Sequence, residues 1–207
     1  MRAIETIKNI WKIEDLRKRI ITTILLVLVY RVGSHVVLPG IDPGSLDALR
    51  NQTSKGLMQL LDMFSGGAFS NASIFALGIM PYITASIVIQ LLGMVLPSFQ
   101  KMQREGESGR TKLNQYTRYL TVLILLMQGP AYLVNLRVQM AGAFPDTGWM
   151  FIVSSTIILA AGSMFIMWLG ERITDKGIGN GISFIILVGI IARLPLAFAQ
   201  EFTSRLA

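Results

Sequence analysis

Long uncharged runs alternate with clusters of charged residues along this chain of 207 residues. About 20 helical residues are enough to cross the roughly 30 Å hydrocarbon core of a bilayer. Four of the apolar stretches match that length, the last only if it continues past Arg193. They predict single membrane-crossing helices over residues 20–38, 117–137, 149–170 and 181–200.

The apolar run between Asp62 and Lys101 has 38 residues, which is too long for one crossing. As a single helix it would measure roughly 57 Å, almost twice the hydrocarbon thickness. Ser65-Gly66-Gly67 breaks the run near its start. We therefore expect a short piece over 57–71 that enters the membrane without crossing it, followed by a crossing over 74–96. Because non-helical backbone at membrane depth must be covered by protein or water, this re-entrant piece implies a cavity.

The basic residues indicate the orientation. Five crossings place 13 of the 19 Lys and Arg residues on the side of the N-terminus, which predicts a cytoplasmic N-terminus and an outer C-terminus. Residues 1–19 carry an apolar stripe with basic residues between, which is typical of an amphipathic helix on the membrane surface. The net charge of +7 then favours anionic lipid over nucleic acid as the partner.

The composition limits which catalytic and metal-binding sites this chain can form. The chain has no Cys and a single histidine, His35, so thiolate sites are excluded and a histidine metal cluster or catalytic triad is disfavoured. Glu105 and Glu107 lie in a basic, hydrophilic stretch, which indicates partner docking or a solvated turn rather than catalysis. Arg31, near the outer end of the first crossing, is interpreted as snorkelling to the interface as readily as functional.

Several positions within the crossings admit two interpretations. Pro81 and the Gln128-Gly129-Pro130 group can kink their helices, but Gly and Pro are common in transmembrane helices. Ile79 and Ile83 share one helix face, as do Ile182 and Ile186, and spacing alone favours packing or lipid contact. Together, the crossings and the re-entrant piece indicate a channel or a transporter. A broken-helix secondary transporter is the alternative, although no paired acidic site lies within the crossings.

Particular sequence runs resemble the SecY family of protein-translocase channel subunits. The resemblance extends in order over nearly the whole chain. The matching runs are PGID at 39–42, MFSGGAFSNASIFALGIMPY at 63–82, ITASIVIQL at 83–91, GESGR at 106–110, NQYTRY at 114–119, MWLGERIT at 167–174 and GIGNGIS at 177–183.

The resemblance implies an all-α membrane fold of ten helices, built as two five-helix halves related as an inverted repeat. This chain is expected to be the N-terminal half, with five transmembrane helices and a short re-entrant plug helix at about 57–71. The resemblance also implies roles for individual residues. These are a plug (Phe64, Ser65, Gly66, Gly67, Phe69), an apolar pore ring (Ile79, Ile83, Ile182, Ile186), a lateral gate (Pro81, Thr84, Gln128) and a cytoplasmic partner loop (Arg104, Glu107, Arg110).

The implied function is conduction, without catalysis, cofactor or metal. Unfolded secretory preproteins would cross the plasma (inner) membrane, and membrane segments would leave sideways into lipid. The implied partners are SecE, SecG, SecA or a translating ribosome, preproteins with their signal sequences, membrane lipid and the C-terminal half of the same channel. A narrow ring of aliphatic side chains suits this task because it sheds water yet fits around a passing polypeptide.

Overall fold

The computed structural model describes residues 11–42, 44, 46, 57–139 and 148–206, and this part of the chain is helical. Its only extended pairing there is an isolated antiparallel bridge between Val37 and Ser73. The described part contains seven helices of eight or more residues. They are α1 (Glu14–Gly33), α2 (Leu57–Phe64), α3 (Met80–Val95), α4 (Pro97–Arg104), α5 (Glu107–Gln139), α6 (Trp149–Lys176) and α7 (Gly181–Leu206).

Helix α6 is the centre of the bundle, and it packs against α1, α5 and α7. Small residues line its contacts, which lets neighbouring backbones approach closely. A Cβ at Gly170 would lie 2.9 Å from Ile182 of α7, and a Cβ at Gly162 would collide with the carbonyl of Ile74. On α5, a Cβ at Gly129 would lie 2.8 Å from Thr156 of α6. Glycine at these positions is therefore required by packing.

The outer surface of the bundle is strongly apolar, as lipid contact requires. By length and composition, two helices of the described part can each cross a membrane, α5 and α6. Helices α3 and α4 together have the length and composition of a third crossing, but they meet at a bend of 101°. The apolar start of α7, Gly181–Ala192, is shorter than a crossing.

The long apolar run is broken, as its length predicted. Helix α2 ends at Phe64, and α3 begins at Met80. At the break, Gly66 and Gly67 adopt positive φ angles of 64° and 92°. The N–H groups of Gly66 and Gly67 donate to the carbonyls of Met63 and Asp62 at 3.2 and 2.9 Å. This is a glycine-terminated helix end, in which left-handed residues turn back to satisfy the last carbonyls.

The second crossing was expected to begin near residue 74, but its helix begins six residues later. Gly78, at φ 56°, turns the chain just before it. Pro81 lies in the first turn of α3, after the N-cap Ile79. Of the two interpretations of Pro81, a kink within the helix is therefore excluded by its position. Proline in the first turn removes no helical hydrogen bond and starts a helix.

Residues 65–79 form a mostly buried, hydrogen-bonded set of turns beside the C-terminal end of α1. The predicted first crossing ran to residue 38, whereas α1 ends at Gly33. The chain beyond it pairs with this segment: Leu38 N–H donates to Ala72 O at 2.9 Å, and Ile74 N–H to Val36 O at 3.0 Å. These bonds supply partners to backbone groups that a bilayer could not satisfy.

The hydrophilic stretch that carries the predicted partner loop (Arg104, Glu107, Arg110) is mostly helical. It comprises the end of α4 and the start of α5, separated by a turn at Gly106, whose φ is 75°. Gly109 lies against the carbonyl of Met102, where a side chain would not fit. Of the predicted N-terminal surface helix, residues 1–10 lie outside the described residues, and α1 begins at Glu14.

Candidate functional site

The four isoleucines singled out by the sequence meet in one apolar cluster. Ile79 is buried at 4% exposure, and Ile83, Ile182 and Ile186 are partly buried against the same cluster. Ile79 and Ile83 come from the start of α3, and Ile182 and Ile186 from the start of α7. Ala68 of the plug segment, residues 57–71, belongs to this cluster as well. The isoleucines and the plug segment therefore share one interior space.

One face of α7 carries the two isoleucines predicted for the pore ring and the contact to the plug segment. Ile182, Ile186 and Gly189 follow the i, i+4, i+7 pattern of a single helix face. A Cβ at Gly66 would lie 2.9 Å from the Cα of Gly189, and a Cβ at Gly189 would lie 3.3 Å from Phe64 O. The two backbones touch because both residues are glycines.

The plug segment is held internally by its own polar groups. Asp62 is 2% exposed, and its carboxylate accepts a hydrogen bond from Ser70 N–H at 2.8 Å. The Ser65 hydroxyl donates to Asp62 O and accepts from Phe69 N–H, both at 3.1 Å. The buried backbone after α2 is thus folded back on the helix end.

Three side chains from the surrounding helices donate to carbonyls of the plug segment. Tyr30 Oη donates to Ser65 O at 3.1 Å, and Arg31 Nη1 to Gly66 O at 2.8 Å. Tyr132 Oη, on α5, donates to Phe69 O at 3.0 Å. Arg31, for which snorkelling and a functional role were both left open, has a partner within the protein, because its guanidinium donates to a carbonyl just beyond the end of α2.

The two phenylalanines of the plug segment differ in burial. Phe64 is partly buried at the end of α2, whereas Phe69 is 7% exposed. The Phe69 ring packs edge-on against Tyr132, with centroids 4.9 Å apart. Tyr132 therefore holds Phe69 at both its ring and its carbonyl.

The residues assigned to a lateral gate lie on α3 and α5, which pack against each other. Pro81 is buried, whereas Thr84 and Gln128 are exposed. The Thr84 hydroxyl donates to Met80 O of its own helix at 3.1 Å. Thr84 and Gln128 therefore place polar groups on an otherwise apolar outer surface.

The residues of the predicted partner loop are all exposed. Arg104 ends α4 and Glu107 begins α5. Arg110 borders a cavity of about 330 Å³ between α3, α4 and α5. Its other lining residues are mostly polar and include Gln103 and Asn114. Nearby, α5 and α6 are joined by an ion pair between Arg118 and Glu171 at 2.7 Å.

Within the described ranges, no group of three or more His, Cys, Asp or Glu side chains could hold a metal ion. The arrangement contains instead an apolar cluster with a hydrogen-bonded segment packed against it. Sequence reasoning missed Tyr30, Tyr132 and Asp62 and left the role of Arg31 open. An intramembrane arginine or acid was the available signal, because such groups are costly unless they are paired.

Comparison with known proteins gives one consistent family. A sequence model described as SecY matches residues 73–206. Protein translocase subunit SecY of Pseudomonas aeruginosa is 47% identical over 192 residues, which are 93% of this chain and 43% of the relative. Protein translocase subunit SecY of Escherichia coli K12 is 47% identical over 188 residues, covering 90% of this chain and 42% of the relative. The chain spans less than half the length of both relatives.

A solved structure has the same fold. Sec61 in the canine ribosome-channel complex from the endoplasmic reticulum superposes with a TM-score of 0.54 at 18% identity. The match covers 86% of this chain and 36% of that chain.

Proposed function

The chain belongs to the SecY family of protein translocase subunits, and on this premise we propose that it is the N-terminal half of a protein-conducting channel. The channel passes unfolded preproteins across the plasma membrane and releases membrane segments sideways into lipid. The observation that carries this proposal is the meeting of Ile79, Ile83, Ile182 and Ile186 in one cluster with the plug segment.

The proposed half has five crossings and one re-entrant plug. The crossings are formed by α1, α3, α5, α6 and α7, so the first ends at Gly33 and the second begins at Met80, and the N-terminus lies in the cytoplasm. Two long apolar helices, α5 and α6, support two of them directly. The break between Phe64 and Met80 supports a plug that enters the membrane and stops.

The ring works by geometry and hydration. Isoleucine side chains offer no hydrogen bonds, so a narrow ring of them excludes water and blocks ions. The same side chains are flexible enough to fit around polypeptides of any sequence. The C-terminal half supplies the other side of the ring and of the lateral gate. The exposed hydroxyl of Thr84 and amide of Gln128 are then positioned to meet that half or a signal sequence.

Partners act on this channel from both sides of the membrane plane. SecE clamps the two halves, SecG accompanies them, and SecA or a translating ribosome delivers the chain. On this half, the exposed Arg104, Glu107 and Arg110 form the cytoplasmic docking corner. No bond is made or broken by the channel, so it is a conduit rather than an enzyme.

Polar substitution in the ring tests this function in the full-length channel. Ile83→Asn and Ile186→Asn give water a partner at the constriction, which weakens the closed state. We expect raised ion leak, by about tenfold or more, and export of preproteins with defective signal sequences. The leak is measured in reconstituted vesicles and the export in cells.

Ile157→Asn is the matched control, because Ile157 is 60% exposed on the outer face of α6. This substitution places an amide toward lipid, so it should impair insertion or stability without leak. Equal behaviour of the ring and control variants, with neither leak nor relaxed export, would refute the pore assignment.

A further inference from the structure

The plug segment is attached to the rest of the half mainly through its backbone carbonyls. Tyr30 donates to Ser65 O, Arg31 to Gly66 O and Tyr132 to Phe69 O. All three acceptors lie within five residues of each other, just after α2. The donors come from both sides of the segment, since Tyr30 and Arg31 are on α1 and Tyr132 is on α5.

We propose that Tyr30, Arg31 and Tyr132 are positioning residues that together form a latch on the plug, holding it closed by its main chain. This inference rests on the proposed channel function and adds to it the residues that keep the plug seated. Because the acceptors are carbonyls, none of the three bonds is made by a side chain of the plug.

Arg31 is the strongest member of the latch. Its carbonyl acceptor, Gly66 O, lies just beyond the C-terminus of α2, where the helix dipole and unpaired carbonyls attract a positive charge. A charge-assisted bond of 2.8 Å in a partly buried site is stronger than a neutral one. An arginine at this depth is also costly unless it has such a partner.

The two tyrosines fix the ends of the latched stretch. Tyr30 is 2% exposed, and its ring is packed against Phe75 with centroids 6.2 Å apart. Tyr132 is 5% exposed and packs against Phe69. Their hydroxyls are therefore aimed by packing, and opening the plug must break all three bonds.

Substitutions that remove only the donor test the latch in the full-length channel with its partner subunits. Tyr30→Phe and Tyr132→Phe keep the rings, and we expect each to raise ion leak by about 2- to 10-fold, the worth of a neutral hydrogen bond. Arg31→Gln removes a charged donor, and we expect ion leak to rise by about 10- to 100-fold. Arg31→Lys keeps a charged donor, so its ion leak should be smaller than that of Arg31→Gln.

A second measurement follows the plug itself. Leu60 is 49% exposed on α2, so a nitroxide on a single cysteine at this position disturbs little. Its spectrum should become more mobile in each latch variant. In a channel lacking residues 57–71, the same latch substitutions should add no leak, because they act only through the plug.

Thr23→Val is the matched control on the same helix. Thr23 is 3% exposed, and its hydroxyl accepts a hydrogen bond from Ile178 N–H at 3.2 Å, away from the plug segment. This variant should change neither leak nor label mobility. If Thr23→Val raises leak and label mobility as strongly as Tyr30→Phe, general loosening of α1 explains the effect and the latch is refuted.

The ring variant Ile83→Asn separates the two proposals. One outcome refutes the latch and leaves the channel function intact. In that outcome Ile83→Asn leaks, while the plug label stays immobile and leak stays low in Tyr30→Phe, Tyr132→Phe and Arg31→Gln. A latch substitution that still adds leak after deletion of the plug also refutes it. Absence of leak from Ile83→Asn refutes the channel function on which the latch rests.

Discussion

Gly66 is the residue at which the plug segment, α1 and α7 come together. Its φ of 64° is left-handed, a conformation that glycine adopts freely and other residues adopt at a cost. A Cβ there would also lie 2.9 Å from the Cα of Gly189 and 3.3 Å from Arg31 Nη1. Both the conformation and the space therefore require glycine.

Gly66→Ala is expected to destabilise the closed plug by more than its backbone strain alone. The left-handed conformation costs an alanine about 1–2 kcal/mol, and the contact with the α7 backbone adds to that. Gly179→Ala is the control, because Gly179 has a φ of 68° but nothing within 4 Å of a Cβ. Thermal unfolding should show a larger drop for Gly66→Ala, and equal drops would contradict the close contact.

The ring isoleucines show what spacing can and cannot predict at the scale of residues. The i, i+4 pattern correctly placed each pair on one helix face, but the same pattern fits residues that face lipid. Their meeting depends on how α3 and α7 pack around the plug, which no local pattern contains. The family resemblance, rather than periodicity, supplied that assignment.

At the scale of elements, apolar run lengths predicted the helices well and their ends poorly. The break in the 38-residue run follows from glycine turns and from excess length, both readable in the sequence. The start of α3 at Met80 and the end of α1 at Gly33 depend on the pairing of residues 36–38 with 72–74. That pairing is a tertiary contact, so hydropathy does not reveal it.

The hydrophilic stretch around Glu107 was predicted as a loop because its charged residues give no apolar run. Polar residues at a solvated helix end do not disturb helical hydrogen bonds. Helix α5 therefore begins at Glu107, about ten residues before its predicted crossing. Its partner α6 likewise continues to Lys176, beyond the predicted 170.

The α5–α6 pair gives a direct test of orientation. Ser108 is exposed at the start of α5, and Gly148 immediately precedes α6 at the opposite end of the pair. In the full-length channel, Ser108→Cys should react with an impermeant thiol reagent only from the cytoplasm. Gly148→Cys should react only from the outside, and the reverse pattern would overturn the proposed topology.

At the scale of the whole molecule, the half is asymmetric in its surfaces. Its interior holds the plug segment and the ring isoleucines, while an outer surface rich in exposed Leu, Ile, Val and Met suits lipid and a second half. Composition and charge predicted a membrane protein in contact with anionic lipid, whereas its protein partners were implied only by the family resemblance. The latch could not be predicted, because its acceptors are backbone carbonyls that carry no sequence signal.

The central claim is that a polypeptide passes between the isoleucines of α3 and α7, and photo-crosslinking tests it most directly. A photoreactive residue is placed singly at Ile83, Ile186 or Ile157 in the full-length channel, which then carries a preprotein stalled in transit. The account predicts adducts with the preprotein from positions 83 and 186 and none from position 157, which faces lipid. Adducts from position 157 alone, or none from both ring positions, would contradict it.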